Sequence, residues 1–114
     1  MPSDCLFCRM ATGETPVEKL YEDDLVFSIR DIHPRAPVHV MVIPKEHIPT
    51  MRDIQESHGP LLGRLFVVAS KVAEQVGVAD EGYRLAFNVG GNAGMTIPHV
   101  HLHLLGGRRL GPEG

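Results

Sequence analysis

The stretch His99-Val100-His101-Leu102-His103-Leu104-Leu105 decides how the rest of the chain is read. Imidazoles and aliphatic side chains alternate with period two, the pattern of a β-strand, in which residues i and i+2 share a face. The three imidazoles therefore point one way, as a row turned to solvent, while Val100, Leu102 and Leu104 enter the core. At about 3.3 Å of rise per residue, the backbones of His99 and His103 are about 13 Å apart. Metal bonds of about 2 Å cannot close that gap, so no single ion gathers all three rings. At least one imidazole is left for other chemistry. A merely solvated polar face is the plain alternative; against it stand the strictly aliphatic opposite face, the Gly-rich loop before the segment and the Gly-Gly turn after it.

Working outward, Tyr83 to Val89 alternates as a second strand, joined to the histidine strand (Pro98 to Leu105) by the small-residue loop Gly90 to Gly94. Upstream, Leu61, Leu62, Leu65, Phe66, Ala69, Val72, Ala73 and Val76 recur at helical spacing between Gly59-Pro60 and Gly77, which predicts one long helix. Earlier still, Glu18 to Glu22 and Leu25 to Arg30 predict a hairpin through Glu22-Asp23-Asp24, with Leu25, Phe27 and Ile29 on one face. Two prolines make Asp31 to Pro37 a loop into a third strand, Val38 to Ile43, closed by Pro44 to Pro49. Three strands, a helix and two strands give an α+β domain on an antiparallel sheet. There is no repeat or low-complexity segment, and Gly106 to Gly114 reads as an irregular tail of a single domain, 1–114.

A chain of 114 residues, 43% hydrophobic and 22% charged, suffices for one core and leaves no room for a second domain. Its net charge of -3 is a poor match for a nucleic-acid polymer held by phosphate contacts, although a mononucleotide needs no global positive charge. The longest apolar runs fall well short of the ~18 residues of a membrane helix. Met1-Pro2-Ser3-Asp4-Cys5 lacks the basic and apolar regions of a secretion signal, so a cytoplasmic, membrane-free protein is expected.

Seven histidines are more than ordinary composition supplies, and the two cysteines both fall in Cys5-Leu6-Phe7-Cys8. That spacing suits a metal knuckle, a redox pair or two unrelated thiols. A redox pair normally opens a helix after a strand, and no strand precedes this one. Metal leads, provided two more ligands exist.

His-Val-His-Leu-His-Leu-Leu resembles the signature of the histidine triad superfamily of nucleotide hydrolases and transferases. Asp31-Ile32, Ala36-Pro37-Val38-His39, Val42 to His47, Asn88, Gly94 and Leu105-Gly106-Gly107-Arg108 resemble its Hint branch, the purine nucleoside phosphoramidases, along almost the whole chain. Gly106-Gly107-Arg108 favours that branch over the Fhit-type dinucleotide hydrolases. The resemblance implies a five-stranded antiparallel sheet with one long helix and a short N-terminal helical turn. It also implies a homodimer, with helices and sheets paired across the interface.

By that resemblance His101 is the nucleophile that carries a nucleotidyl group. His103 contacts the phosphate, His39 supports the triad through hydrogen bonds, and Asn88, Gly94, Met95 and Thr96 complete the phosphate contacts, Thr96 among the catalytic groups. A neutral imidazole is nucleophilic at pH 7, where its ordinary pKa of ~6.5 leaves much of it unprotonated. Asp31 holds ribose hydroxyls of an AMP- or GMP-type ligand, with Ile32, Phe7 and Met10 as apolar walls. Triad proteins that keep the N-terminal Cys-x-x-Cys bind zinc with a ligand from the loop after the third strand and the first triad histidine, here Cys5, Cys8, His47 and His99. The activity implied is hydrolysis of the P–N bond of purine nucleoside 5'-phosphoramidates. Hydrolysis of dinucleoside polyphosphates or adenylyl sulfate is the nearest alternative, and a non-catalytic nucleotide-binding interaction module the alternative of another class. Two departures stand out. Met95 occupies a position where the family usually has Gln, and a thioether donates no hydrogen bond. The tail Leu110 to Gly114 is short and without tryptophan. His33 and His58 match no family role and read as solvated.

Overall fold

The computed structural model describes residues 4–114; Met1, Pro2 and Ser3, on which most of the secretion reading rests, lie outside the described residues. In chain order the elements are α1 (Leu6–Thr12), β1 (Tyr21–Glu22), β2 (Val26–Arg30), β3 (Val38–Pro44), α2 (Gly59–Gln75), β4 (Tyr83–Ala86) and β5 (Leu102–Gly106). The strands form one antiparallel sheet in the order β1-β2-β3-β5-β4, so β3 and β5 are its centre and β4 an edge. This is the α+β architecture expected from the pattern, with both the long helix and the short N-terminal one.

Each face of the sheet carries a helix. Val26, Val40, Val42, Leu102 and Leu104 pack on Leu65, Val68, Ala69, Val72 and Ala73 of α2. Phe27, Ile29, Met41 and Ile43 look the other way and pack on Cys5, Phe7 and Cys8 of α1 and its cap. Double coverage explains why β3 reads as an almost unbroken apolar run: neither of its faces meets water. His39 lies on the α1 side of β3, within two residues of Met41, and is buried.

Several boundaries differ from the sequence pattern for identifiable reasons. Leu25 lies outside β2 and is 52% exposed, because Asp23 turns the chain there: its Oδ1 accepts from the backbone N–H groups of Leu25 and Val26. Burial opposes a charge on Asp23, yet those two bonds and the Arg64 guanidinium of α2 hold its carboxyl well below the usual range. The histidine strand begins at Leu102 and not at Pro98. Pro98 has no N–H to give a ladder, the His99 N–H turns back to the Ile97 carbonyl, and the Val100 N–H goes to the Ile48 carbonyl at 2.8 Å. Correspondingly, β4 ends at Ala86, the partner of His103. Of the three signature histidines only His103 sits in the ladder.

Candidate active site and metal centre

The imidazoles do share the α1 side of the sheet, but they are not a solvent-facing row. His99 is fully buried, His103 6% exposed and His101 half-buried. Phe7 of α1 covers them, its ring edge-on to His99 and to His101 at centroid separations of 5.6 and 5.2 Å. Burial lowers the pKa of His99, His101, His39 and His103; for His103, with His101, His39 and Arg35 adding to burial, it falls to about 4. The rings are therefore neutral at pH 7, and for neutral rings the position of the single proton decides the chemistry.

Backbone partners fix that position. The Nδ1 of His101 is 2.7 Å from the His99 carbonyl oxygen, which only accepts, so Nδ1 carries the proton and Nε2 keeps its lone pair. The backbone N–H of Arg35 only donates, and it points at Nδ1 of His39 at 3.1 Å. His39 is thus protonated at Nε2, which lies 2.9 Å from Nδ1 of His103 and 3.4 Å from Oδ2 of Asp31. His103 accepts at Nδ1 and carries its own proton on Nε2. Two histidines on one face consequently hold opposite tautomers, one with a lone pair at Nε2 and the other with a proton there.

Beside them opens a cleft of about 460 Å³, a volume suited to a small ligand. Phe7, Met10 and Ile32 give it apolar walls, and Asp31, Asn88, Gly94, Thr96 and His103 line it with polar groups. Eight of the residues singled out from the sequence thus line one cavity. Met95 and His101 do not; they line a small adjoining hollow of about 10 Å³ with Met51, and Asn88 borders both spaces. Val17, Ile97, Arg35 and His33 also line the cleft and were not singled out for it. No spacing rule marks them, because they come from loops and turns. His33 is exposed there and its N–H donates to Asp31 Oδ1. His58 is only half-buried solvent surface: its Nδ1 accepts from the Gln55 N–H, and its Nε2 lies 3.3 Å from Glu46 Oε2.

Cys5, Cys8, His47 and His99 converge on the far side of Phe7, their ligand atoms all within 4.8 Å of one another. The closest separations are 3.3 Å from Cys5 Sγ to His99 Nδ1, 3.2 Å from Cys8 Sγ to His47 Nδ1 and 3.2 Å between the two Nδ1 atoms. A tetrahedron with metal bonds of about 2.0–2.3 Å has edges of roughly 3.3–3.8 Å, so this donor set fits a zinc-sized ion. The tautomer fits too: His99 Nε2–H is held by the Pro44 carbonyl at 2.8 Å, leaving the Nδ1 lone pair facing the cysteines. Burial, then the hydrogen bond and charge of Cys5, push the Cys8 thiol up to about 11, so a cation is needed to ionise it at neutral pH.

The HIT domain family model matches residues 12–110, and the chain belongs to that family. It is 46% identical over 112 residues, covering 98% of this chain and 94% of that protein, to the purine nucleoside phosphoramidase of Escherichia coli. An uncharacterized HIT-like protein of Synechococcus elongatus is 43% identical over 96% of both chains. Among solved structures, the HIT family hydrolase of Legionella pneumophila superposes with a TM-score of 0.94 at 44% identity, covering 97% of this chain and 100% of that one. A second HIT family hydrolase, from Clostridium thermocellum, gives 0.94 at 47% identity over 98% and 97% of the two chains. The protein is a HIT family hydrolase. No helix among its described residues is long and apolar enough to cross a membrane.

Two outcomes follow. Protein purified without chelator is expected to carry about one equivalent of zinc per chain by elemental analysis, and Cys8→Ser to lower the content at least several-fold together with the melting temperature. His39 and His103 bind protons more weakly folded than unfolded, so they cost no stability above the unfolded pKa of ~6.5. As pH falls below it the unfolded state takes up protons first, and stability drops by up to ~1.4 kcal/mol per pH unit per group until the folded rings titrate. Urea midpoints at pH 7 and pH 5 for wild type and a His39→Gln variant measure this; equal pH sensitivity in the two would contradict it.

Proposed function

We propose that this chain, a single HIT domain over residues 1–114, hydrolyses purine nucleoside 5'-phosphoramidates through a nucleotidyl-histidine intermediate on His101. The observation that carries the reading is the pair of opposed tautomers beside the cleft: a lone pair on His101 Nε2 and a proton on His103 Nε2. The name of the E. coli relative supports the substrate class.

In this reading the nucleoside occupies the cleft, its base against Phe7, Met10 and Ile32. Asp31 accepts from the ribose hydroxyls; its carboxylate keeps acceptor sites beyond those used by the His33 N–H and His39. His101 Nε2 bonds to the α-phosphorus as the P–N bond to the amine breaks, and the amine departs after taking a proton from solvent. The imidazole becomes positively charged, and the His99 carbonyl, already bonded to Nδ1–H, stabilises that charge. His103 Nε2–H and the Thr96 hydroxyl donate to phosphoryl oxygens, with Asn88 and the Gly94 backbone completing the phosphate cradle and Met95 as an apolar neighbour of the nucleophile. Water then attacks phosphorus, its oxygen stays on the nucleotide, a proton is released and His101 is restored. Zinc, held by Cys5, Cys8, His47 and His99, supplies a structural cross-link between the N-terminus and the catalytic segment. Reduced, metal-binding thiols fit a cytoplasmic setting, and the negative net charge speaks against a nucleic-acid polymer as partner.

The expected partner is a second copy of the chain. Edge strand β4 has a free side, and Phe66 and Val67 of α2 are 46% and 49% exposed, with Phe66 ring-to-edge on Phe87 beyond the end of β4. An apolar helix face continuous with an open sheet edge suits helix-on-helix pairing with joined sheets. Light scattering should give twice the chain mass, and a monomer at micromolar concentration would overturn this.

Adenosine 5'-phosphoramidate is expected to be turned over faster than diadenosine polyphosphate or adenylyl sulfate, and His101→Ala to lower kcat by at least about 10³-fold. Faster turnover of the polyphosphate or the sulfate would transfer the activity to the corresponding hydrolase. Activity unchanged in His101→Ala would remove His101 as nucleophile, and nucleotide binding without turnover in wild type would leave only a binding module.

A further inference from the structure

Gly106-Gly107-Arg108, the segment that closes the signature stretch, takes no part in the chemistry above, yet it lies against the loop that sets the tautomers. Gly107 has φ +92°, and a Cβ there would meet Pro37 Cβ at 2.9 Å and the Val38 nitrogen at 3.3 Å. Only a glycine lets the chain leave β5 so close to that loop. The next residue then turns its guanidinium onto the loop: Arg108 Nη2 donates to the Arg35 carbonyl oxygen at 3.2 Å, while Nη1 donates to the Arg109 carbonyl at 3.0 Å. Arg35 is also the residue whose N–H reaches His39 Nδ1.

We propose that Gly107 and Arg108 form a latch that clamps the 31–37 loop at Arg35, so that the Arg35 amide fixes His39, and through it His103, in the tautomer that presents Nε2–H to the phosphate. Arg108 is a positioning residue, acting through three hydrogen bonds in series: guanidinium to carbonyl, amide to His39, His39 to His103. The loop needs such a clamp, because Ile32 to Arg35 are exposed and lie outside any strand. If the Arg35 amide withdraws, His39 is free to place its proton on Nδ1. Its Nε2 then accepts from His103 Nδ1–H, and His103 is left with a lone pair facing an anion. The relay reverses without any side chain leaving its place. The groups facing His39 are Asp31 and Arg35 on the loop and His103 on β5. None but the Arg35 amide is an obligate donor to its Nδ1.

The latch rests on the proposed role of His103, but its first test is independent of turnover. In ¹⁵N-labelled protein at about pH 8, where the histidines are neutral, long-range ¹H–¹⁵N spectra should show His39 protonated at Nε2 in wild type. Arg108→Ala should give a mixture of both His39 tautomers, and Arg108→Lys, which can still reach the carbonyl, should largely restore the wild-type state. Gly107→Ala should behave like Arg108→Ala. With adenosine 5'-phosphoramidate, Arg108→Ala should lower kcat by about 2- to 10-fold with KM nearly unchanged, the size of one lost hydrogen bond. Its acid limb of kcat/KM should move to higher pH, since His39 Nδ1 becomes free to protonate. Loss of the Arg108 charge alone would shift the acid limb but leave the tautomer at pH 8 intact, and that result overturns the latch. So does a wild-type tautomer in Arg108→Ala with only a lower melting temperature. Should Arg108→Ala not fold, Arg108→Met, which keeps the aliphatic stem but has no donor, takes its place in the same spectra. If no variant, wild type included, turns over the phosphoramidate, the proposed function falls while the spectra still decide the latch.

Discussion

A carbonyl oxygen cannot donate a hydrogen bond and an amide N–H cannot accept one, and the site depends on that asymmetry. Three of the four histidines His39, His99, His101 and His103 on the α1 side of the sheet are tied by one nitrogen to backbone: His99 to Pro44, His101 to His99, His39 to Arg35. Each tie settles where the proton sits and so settles what the other nitrogen offers: on His99 a lone pair facing the cysteines, on His101 a free lone pair at Nε2, and on His39 a proton for His103. Side-chain partners would have left both choices open, because an imidazole, a hydroxyl or a water can reverse its role. Burial makes the ties decisive by keeping the rings neutral, and a neutral ring has just one proton to place.

Much of this was legible in the sequence, and what was legible follows one rule: local periodicity reads faces, not partners. The alternation from His99 to Leu105 correctly divides imidazoles from core aliphatics, and the helical spacing from Leu61 to Val76 finds α2 to within two residues at its start. The same alternation overextends the strand to Pro98, because period two does not reveal that the Val100 N–H has gone to Ile48. It also turned the rings to solvent, since nothing in residues 99–105 announces that Phe7, some ninety residues earlier, will cover them. Cys5-x-x-Cys8 announced a metal knuckle without its other half. His47 and His99 came only with the family resemblance, and the structure brings the four together. The tautomers were out of reach altogether, because they depend on carbonyl and amide directions set by the fold.

The two helices on the sheet divide the labour in a way composition alone would not suggest. α2 is the thermodynamic half: its buried face contributes Leu65, Val68, Ala69, Val72 and Ala73 to a core whose buried residues are all aliphatic, with Tyr21, Tyr83 and Phe87 packed at its margin. α1 has only seven residues, too few to be stable alone, and ends at once in Gly13 with φ +84°. Its place is held by Phe7 and the two cysteines, which are buried against β2 and β3. A short helix that covers His101 gains most from a cross-link, and a metal held by the Cys2His2 set would tie it to β3's exit at His47 and to the histidine segment at His99. His99 also lends its carbonyl to His101, so the residue whose Nδ1 faces the cysteines is the one that fixes the His101 tautomer.

His101 lines a hollow too small for any substrate group, which shares Asn88 with the cleft, and for the proposed reaction this bears on selectivity. If the cleft takes the nucleoside, the hollow of about 10 Å³ that Met51 and Met95 help to line has no space for the departing group. In the proposed reaction an in-line attack by His101 would send the leaving group out on the far side of the phosphate, away from Met95. Discrimination among leaving groups would then rest on whatever lies over the mouth of the cleft, and the enclosed walls of this chain would select chiefly for the nucleotide half of a substrate.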